Sequence, residues 1–89
     1  MQPTILIIDD SEDETLLLKL ALAKTGRNFI TEAASSGEAG LSLIRGNKTP
    51  PKLILLDLKM PRMDGIEVLR IIRGDKSLSS CCLQDYASL

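Results

Sequence analysis

The sequence predicts an α/β fold built on a parallel sheet with right-handed crossovers. Three observations point to it. Two short, wholly apolar runs, Ile5–Ile8 and Leu53–Leu56, read as strands buried on both faces, and each is followed by Asp. Every strand pattern is followed by a helical one, so the chain alternates strand, helix, strand, helix, strand, helix. Glycines stand where the helical patterns end, at Gly26, Gly46 and Gly74, the residue type that most readily reverses a chain leaving a helix.

The first strand is predicted from Thr4 to Asp9. The helix after it has Ser11 and Glu14 at capping-box spacing, and Glu12, Asp13 and Glu14 favour the positive end of its dipole. Its inner face is expected to carry Leu17, Leu20, Ala21 and the aliphatic stem of Lys24. Phe29–Ala34 alternates between apolar and polar residues, as an edge strand does. The second helix opens at Ser35 or Ser36 and runs through Leu41, Leu43 and Ile44. Gly40 makes it the weakest of the set. Consecutive prolines, Pro50 and Pro51, then forbid helix and lead into the third strand, Lys52–Asp57. Pro61 biases Met60 away from helical angles, so Leu58–Gly65 forms a loop. Asp64, with Glu67, explains itself as the cap of a third helix that buries Val68, Leu69 and Ile72.

Composition narrows the function. The 89 residues suffice for one domain at most. The core must be aliphatic, because the chain has one Phe, one Tyr and no Trp. A net charge of −1 supplies no basic field for nucleic acid or an anionic membrane. No apolar run approaches the roughly 20 residues of a bilayer span, and no signal peptide is evident. A cytoplasmic location is therefore expected. The adjacent Cys81 and Cys82 are poorly placed for a disulfide with each other, and with no His there is no zinc set and no hydrolytic triad.

If the second crossover returns past the first strand, the sheet order is 2-1-3 and a topological switch lies between the first and third strands. Ligands bind outside the carboxyl ends of strands at such a point. Asp9, Asp10 and Asp57 fall there. Two unit charges about 4 Å apart at an effective dielectric near 20 repel by roughly 4 kcal/mol, so three carboxylates require a cation or protons. Hard carboxylate oxygens suit Mg²⁺ or Mn²⁺, and a carboxylate beside such an ion is placed to act as a nucleophile toward phosphorus.

The segments Ile7-Ile-Asp-Asp-Ser11 and Leu55-Leu-Asp-Leu-Lys-Met-Pro-Arg-Met-Asp-Gly65 resemble the receiver domain of two-component response regulators. The acidic start Asp9–Glu14 is similar to stand-alone receivers paired with phytochrome-type kinases. The resemblance implies a flavodoxin-like fold and a role in phosphorelay signalling. It implies that Asp57 accepts a phosphoryl group from a sensor histidine kinase, and that Asp9, Asp10, Asp57 and the backbone carbonyl of Lys59 hold Mg²⁺. The chain would be a phosphoacceptor rather than an enzyme. A phosphatase of the haloacid dehalogenase type needs a second Asp two residues after its nucleophile. Ser11 after Asp9 and Lys59 after Asp57 exclude that spacing.

The resemblance spans residues 4–80, a partial receiver, and residues 81–89 form a tail without a match. A receiver normally continues with a fourth strand ending in Ser or Thr and a fifth ending in Lys. Those strand–helix units are expected to be missing, whether through a frameshift, an altered C-terminus or truncation, with Cys81–Leu83 at most a vestigial strand. An unpaired edge on the third strand and an uncovered face beside the first helix would then favour a homo-oligomer. The alternative function is a fragment that oligomerises and is not competent for phosphorylation-driven switching.

Overall fold

The computed structural model describes residues 3–46, 50–60, 65–79 and 81–86. Four parallel strands form one sheet: β1 (Thr4–Ile8), β2 (Ile30–Ala34), β3 (Leu53–Asp57) and β4 (Cys82–Tyr86), in the order β2-β1-β3-β4. Three helices connect them: α1 (Glu12–Ala23), α2 (Gly37–Gly46) and α3 (Gly65–Gly74). The expected order 2-1-3 is present, and β2 is an edge strand.

The sheet carries one strand more than expected. Residues 82–86 of the expected tail pair with β3, so the edge of β3 is covered and β4 becomes the outer strand. Backbone ladder bonds require no particular side chain, which is why a segment without Val or Ile serves here. A 3₁₀ turn at Lys76–Leu78 makes the approach, burying Leu78 and capped by the Asp75 carboxylate on the Ser77 amide at 2.9 Å. No further strand or helix follows β4 among the described residues.

The two faces of the sheet are covered unequally. Leu6, Ile8, Ile54 and Leu56 pack with Leu41 and Ile44 of α2 and Val68 and Ile72 of α3 into one aliphatic core. Leu69 is half-buried against it, in keeping with the expected inner face of α3. Gly40 is a packing residue here: a Cβ added to it would lie 2.6 and 2.8 Å from the side chain of Ile8. The glycine that weakens α2 as an isolated helix thus lets it approach β1 closely. Ser36 opens the helix, its hydroxyl accepting from the Ala39 amide at 3.1 Å.

On the opposite face α1 buries no residue completely. The expected inner face is wrong in rotation: Leu17 and Leu20 are 64% and 52% exposed, Ala21 and Lys24 are exposed too, and the half-buried positions are Glu14, Thr15, Leu18 and Leu22. Leucines at 16, 17, 18, 20 and 22 surround the helix, so apolar periodicity does not single out one face. Ser11 caps α1 by accepting from the Glu14 amide at 3.2 Å, and Gly26, at φ 72°, turns the chain after it. The Asp64 cap and the Pro61 turn lie outside the described residues. No helix among the described residues is long and apolar enough to cross a membrane.

Candidate functional site

Strand alternation and parallel register build the site. Ile7 is level with Leu55, and Leu55 with Gln84; two residues further along each strand come Asp9, Asp57 and Tyr86. Residues two apart point to the same face, so these three form a row across the carboxyl ends of β1, β3 and β4. Asp10 follows Asp9 at the mouth. Asp9 and Asp57 are 2% and 0% exposed, whereas Asp10 is exposed. The three carboxylates converge as the switch-point argument requires, with one oxygen of each within 4.8 Å of the others.

Buried carboxylates need donors, and the loops after the strands supply them. Asp9 Oδ1 accepts from the Ser11 amide at 2.9 Å, and Asp57 Oδ1 accepts from the Lys59 amide at 2.9 Å. Both contacts span two residues, an Asx turn that aims each acid out of its own strand end. Met60 is buried and anchors the loop after Asp57 in the core. Gly65, the first residue of α3, lies so close beneath this loop that an added Cβ would collide with the Asp57 carbonyl oxygen and the Leu58 Cα.

Two members of the site were not foreseen. Tyr86 donates its phenolic hydrogen to Asp9 Oδ2 at 2.6 Å, a length typical of a bond to an ionised acceptor. Burial first, then the bond to Asp9 and the charges of Asp9, Asp57 and Glu14, push the phenol well above its usual pKa. Glu14, on the first turn of α1, has its carboxyl raised above the usual range, mainly by a hydrogen bond with Asp9 and then by burial and the neighbouring acids. Glu14 did have a sequence signal, the capping box, which accounted for it as structure only. Tyr86 had none, because its place depends on β4 pairing with β3. Where the resemblance leads one to expect a Ser or Thr at the end of a fourth strand, Tyr86 supplies the hydroxyl and directs it to Asp9. Beside this row a groove of about 360 Å³ opens between α1 and the end of β2, lined by Asp9, Asp10, Thr15, Lys19 and Ser35 among others.

Oxygen-only donors at this separation fit a hard divalent cation such as Mg²⁺ and offer nothing to a softer one.

Comparison with known proteins agrees with this construction. Residues 5–83 match the family described as the response regulator receiver domain. The transcriptional regulatory protein AfsQ1 of Streptomyces coelicolor is 42% identical over 76 residues, 85% of this chain and 32% of its own length. The alkaline phosphatase synthesis transcriptional regulatory protein PhoP of Bacillus subtilis is 41% identical over 76 residues, 85% of this chain and 30% of its own length. The chain therefore spans about a third of the length of these relatives. Among solved structures, the bacteriophytochrome response regulator AtBRR superposes with a TM-score of 0.91 at 26% identity, covering 100% of this chain and 69% of the other. A second bacteriophytochrome response regulator, RtBRR, gives 0.87 at 26% identity, covering 96% and 55%. With its sheet order, its acidic strand ends and its matched span all in accord, the chain belongs to the receiver-domain family of two-component response regulators.

Proposed function

We propose that this chain is a phosphoacceptor in a two-component phosphorelay and that Asp57 receives the phosphoryl group. The observation that carries the reading is the convergence of the Asp9, Asp10 and Asp57 carboxylates at the carboxyl ends of β1 and β3. The donor would be the phosphohistidine of a sensor histidine kinase. An Asp57 carboxylate oxygen attacks phosphorus, an O–P bond forms as the N–P bond breaks, and the imidazole leaves with the electron pair of that bond and takes up a proton. The Lys59 amide bond to Oδ1 orients Asp57 for this attack, and the Ser11 amide holds Asp9 beside it. Asp9, Asp10, Asp57 and the backbone carbonyl of Lys59 are the groups that would hold Mg²⁺. When bound, that ion would neutralise charge on the phosphoryl oxygens. The chain's own part is thus to position a nucleophile, not to turn over a substrate, and the cytoplasm, where kinase phosphohistidines are made, is its expected location.

Incubation with Mg²⁺ and a small acyl phosphate, followed by intact mass, tests the proposal. An adduct of one phosphoryl group, absent from Asp57→Asn, supports it. No adduct on the wild type counts against it.

A second reading is a receiver fragment that oligomerises and does not switch. It is favoured by β4 as the outer strand of the sheet and by Leu16, Leu17 and Leu20 exposed on α1. Sedimentation at micromolar concentration separates the two readings. A folded monomer removes the second, and a dimer without a phosphoryl adduct favours it.

A further inference from the structure

The Tyr86–Asp9 hydrogen bond joins residues 77 apart in sequence and crosses the site. Tyr86 stands on β4 and Asp9 follows β1, with β3 and Asp57 between them in the sheet. Neighbouring strands lie about 4.8 Å apart, so the contact spans two spacings, or roughly 10 Å. The phenol ring accounts for most of that reach and therefore passes over the carboxyl end of β3. The complete burial of Asp57 agrees with such a cover. The same contact occupies an oxygen of Asp9 that a cation would use, while Asp9 Oδ1 is already engaged by the Ser11 amide.

We propose that Tyr86 is a built-in competitor for the acidic site: its hydroxyl holds Asp9 and its ring covers Asp57, so a divalent cation binds only as the phenol leaves. The proposal rests on the reading of Asp9, Asp10 and Asp57 as a cation site. Tyr86 acts here as a positioning residue, setting the access and affinity of the site through Asp9. A hydrogen bond to a charged group is worth enough that its removal should tighten Mg²⁺ binding at least about tenfold.

The molecule carries its own probe, because Tyr86 is the one tyrosine and there is no tryptophan. Tyrosine emission is quenched when the hydroxyl donates to a carboxylate, so release from Asp9 should brighten it. The experiment titrates Mg²⁺ into the full chain and into Tyr86→Phe by calorimetry, with wild-type emission followed in parallel and circular dichroism confirming that the variant is folded. The expected result is at least about tenfold tighter binding to Tyr86→Phe, and a rise in wild-type emission with the same midpoint as its calorimetric curve. Equal or weaker binding by the folded variant would overturn the proposal. So would wild-type binding without a change in emission, a measurement that needs no variant. If neither chain binds Mg²⁺, the cation-site reading itself fails and takes this proposal with it.

Discussion

The two faces of one sheet differ sharply in this molecule. On the α2 and α3 face, Leu6, Ile8, Ile54, Leu56, Val68 and Ile72 are almost or wholly inaccessible and form a continuous core. On the α1 face, Ile5 and Ile7 are buried, yet the helix over them buries no residue completely and leaves Leu16, Leu17 and Leu20 more than half exposed. A strand alternates its side chains between faces, so β1 supplies comparable aliphatic residues to both. The difference lies in what covers them: two helices at close range, one seated through Gly40, against one helix turned partly to water. Stability therefore resides mainly in the first face, while the row Asp9, Asp57 and Tyr86 has the strand parity of the second. The site is assembled on the less firmly covered side.

The largest expected effect breaks the well-packed face. Leu56→Ala removes a fully buried side chain from the core and should cost about 2–5 kcal/mol. That is a large share of the 5–15 kcal/mol typical of a domain, and denaturant unfolding should show a greatly lowered midpoint. A loss under about 1 kcal/mol would mean that the two faces are more alike than they look.

Gly40→Ala should come next, at about 1–3 kcal/mol, because the new Cβ meets the Ile8 side chain. The nearest atom is Ile8 Cδ1, so adding Ile8→Val should recover part of the loss. The double-mutant cycle reads that coupling directly. Strict additivity would show that α2 simply tilts away from β1.

The smallest effect tests the other face. Leu17→Gln, at a position 64% exposed, should change stability by no more than about 0.5 kcal/mol in the same denaturant measurement. A loss comparable with that of Leu56→Ala would place α1 against an apolar partner and remove the contrast between the faces.

Much of the fold was legible because its signals are local. The runs Ile5–Ile8 and Leu53–Leu56, the cap at Ser11 and the turn glycines each act over a few residues; β1, β3 and the start of α1 appear within a residue of their expected ends, whereas α1 stops at Ala23, short of the expected cap at Gly26. The acidic cluster was legible for a related reason. Once the second crossover returns past the first strand, β1 lies beside β3, and Asp9 and Asp57 follow from their places at the ends of those strands. The rotation of α1 was not legible, since leucines on every side of a helix leave its orientation to whatever packs against it.

Local signals in the chain were enough for an aliphatic α/β unit with carboxylates at the ends of its first and third strands, and for the order 2-1-3 once the second crossover returns past the first strand. Long-range packing settled that residues 82–86 form β4, that Gly40 seats α2 on Ile8, and that Tyr86 reaches Asp9. The physical reason is common to all three. Backbone pairing carries no side-chain signature, close approach is a property of two surfaces, and a contact between residues 77 apart exists only after every intervening element has been placed.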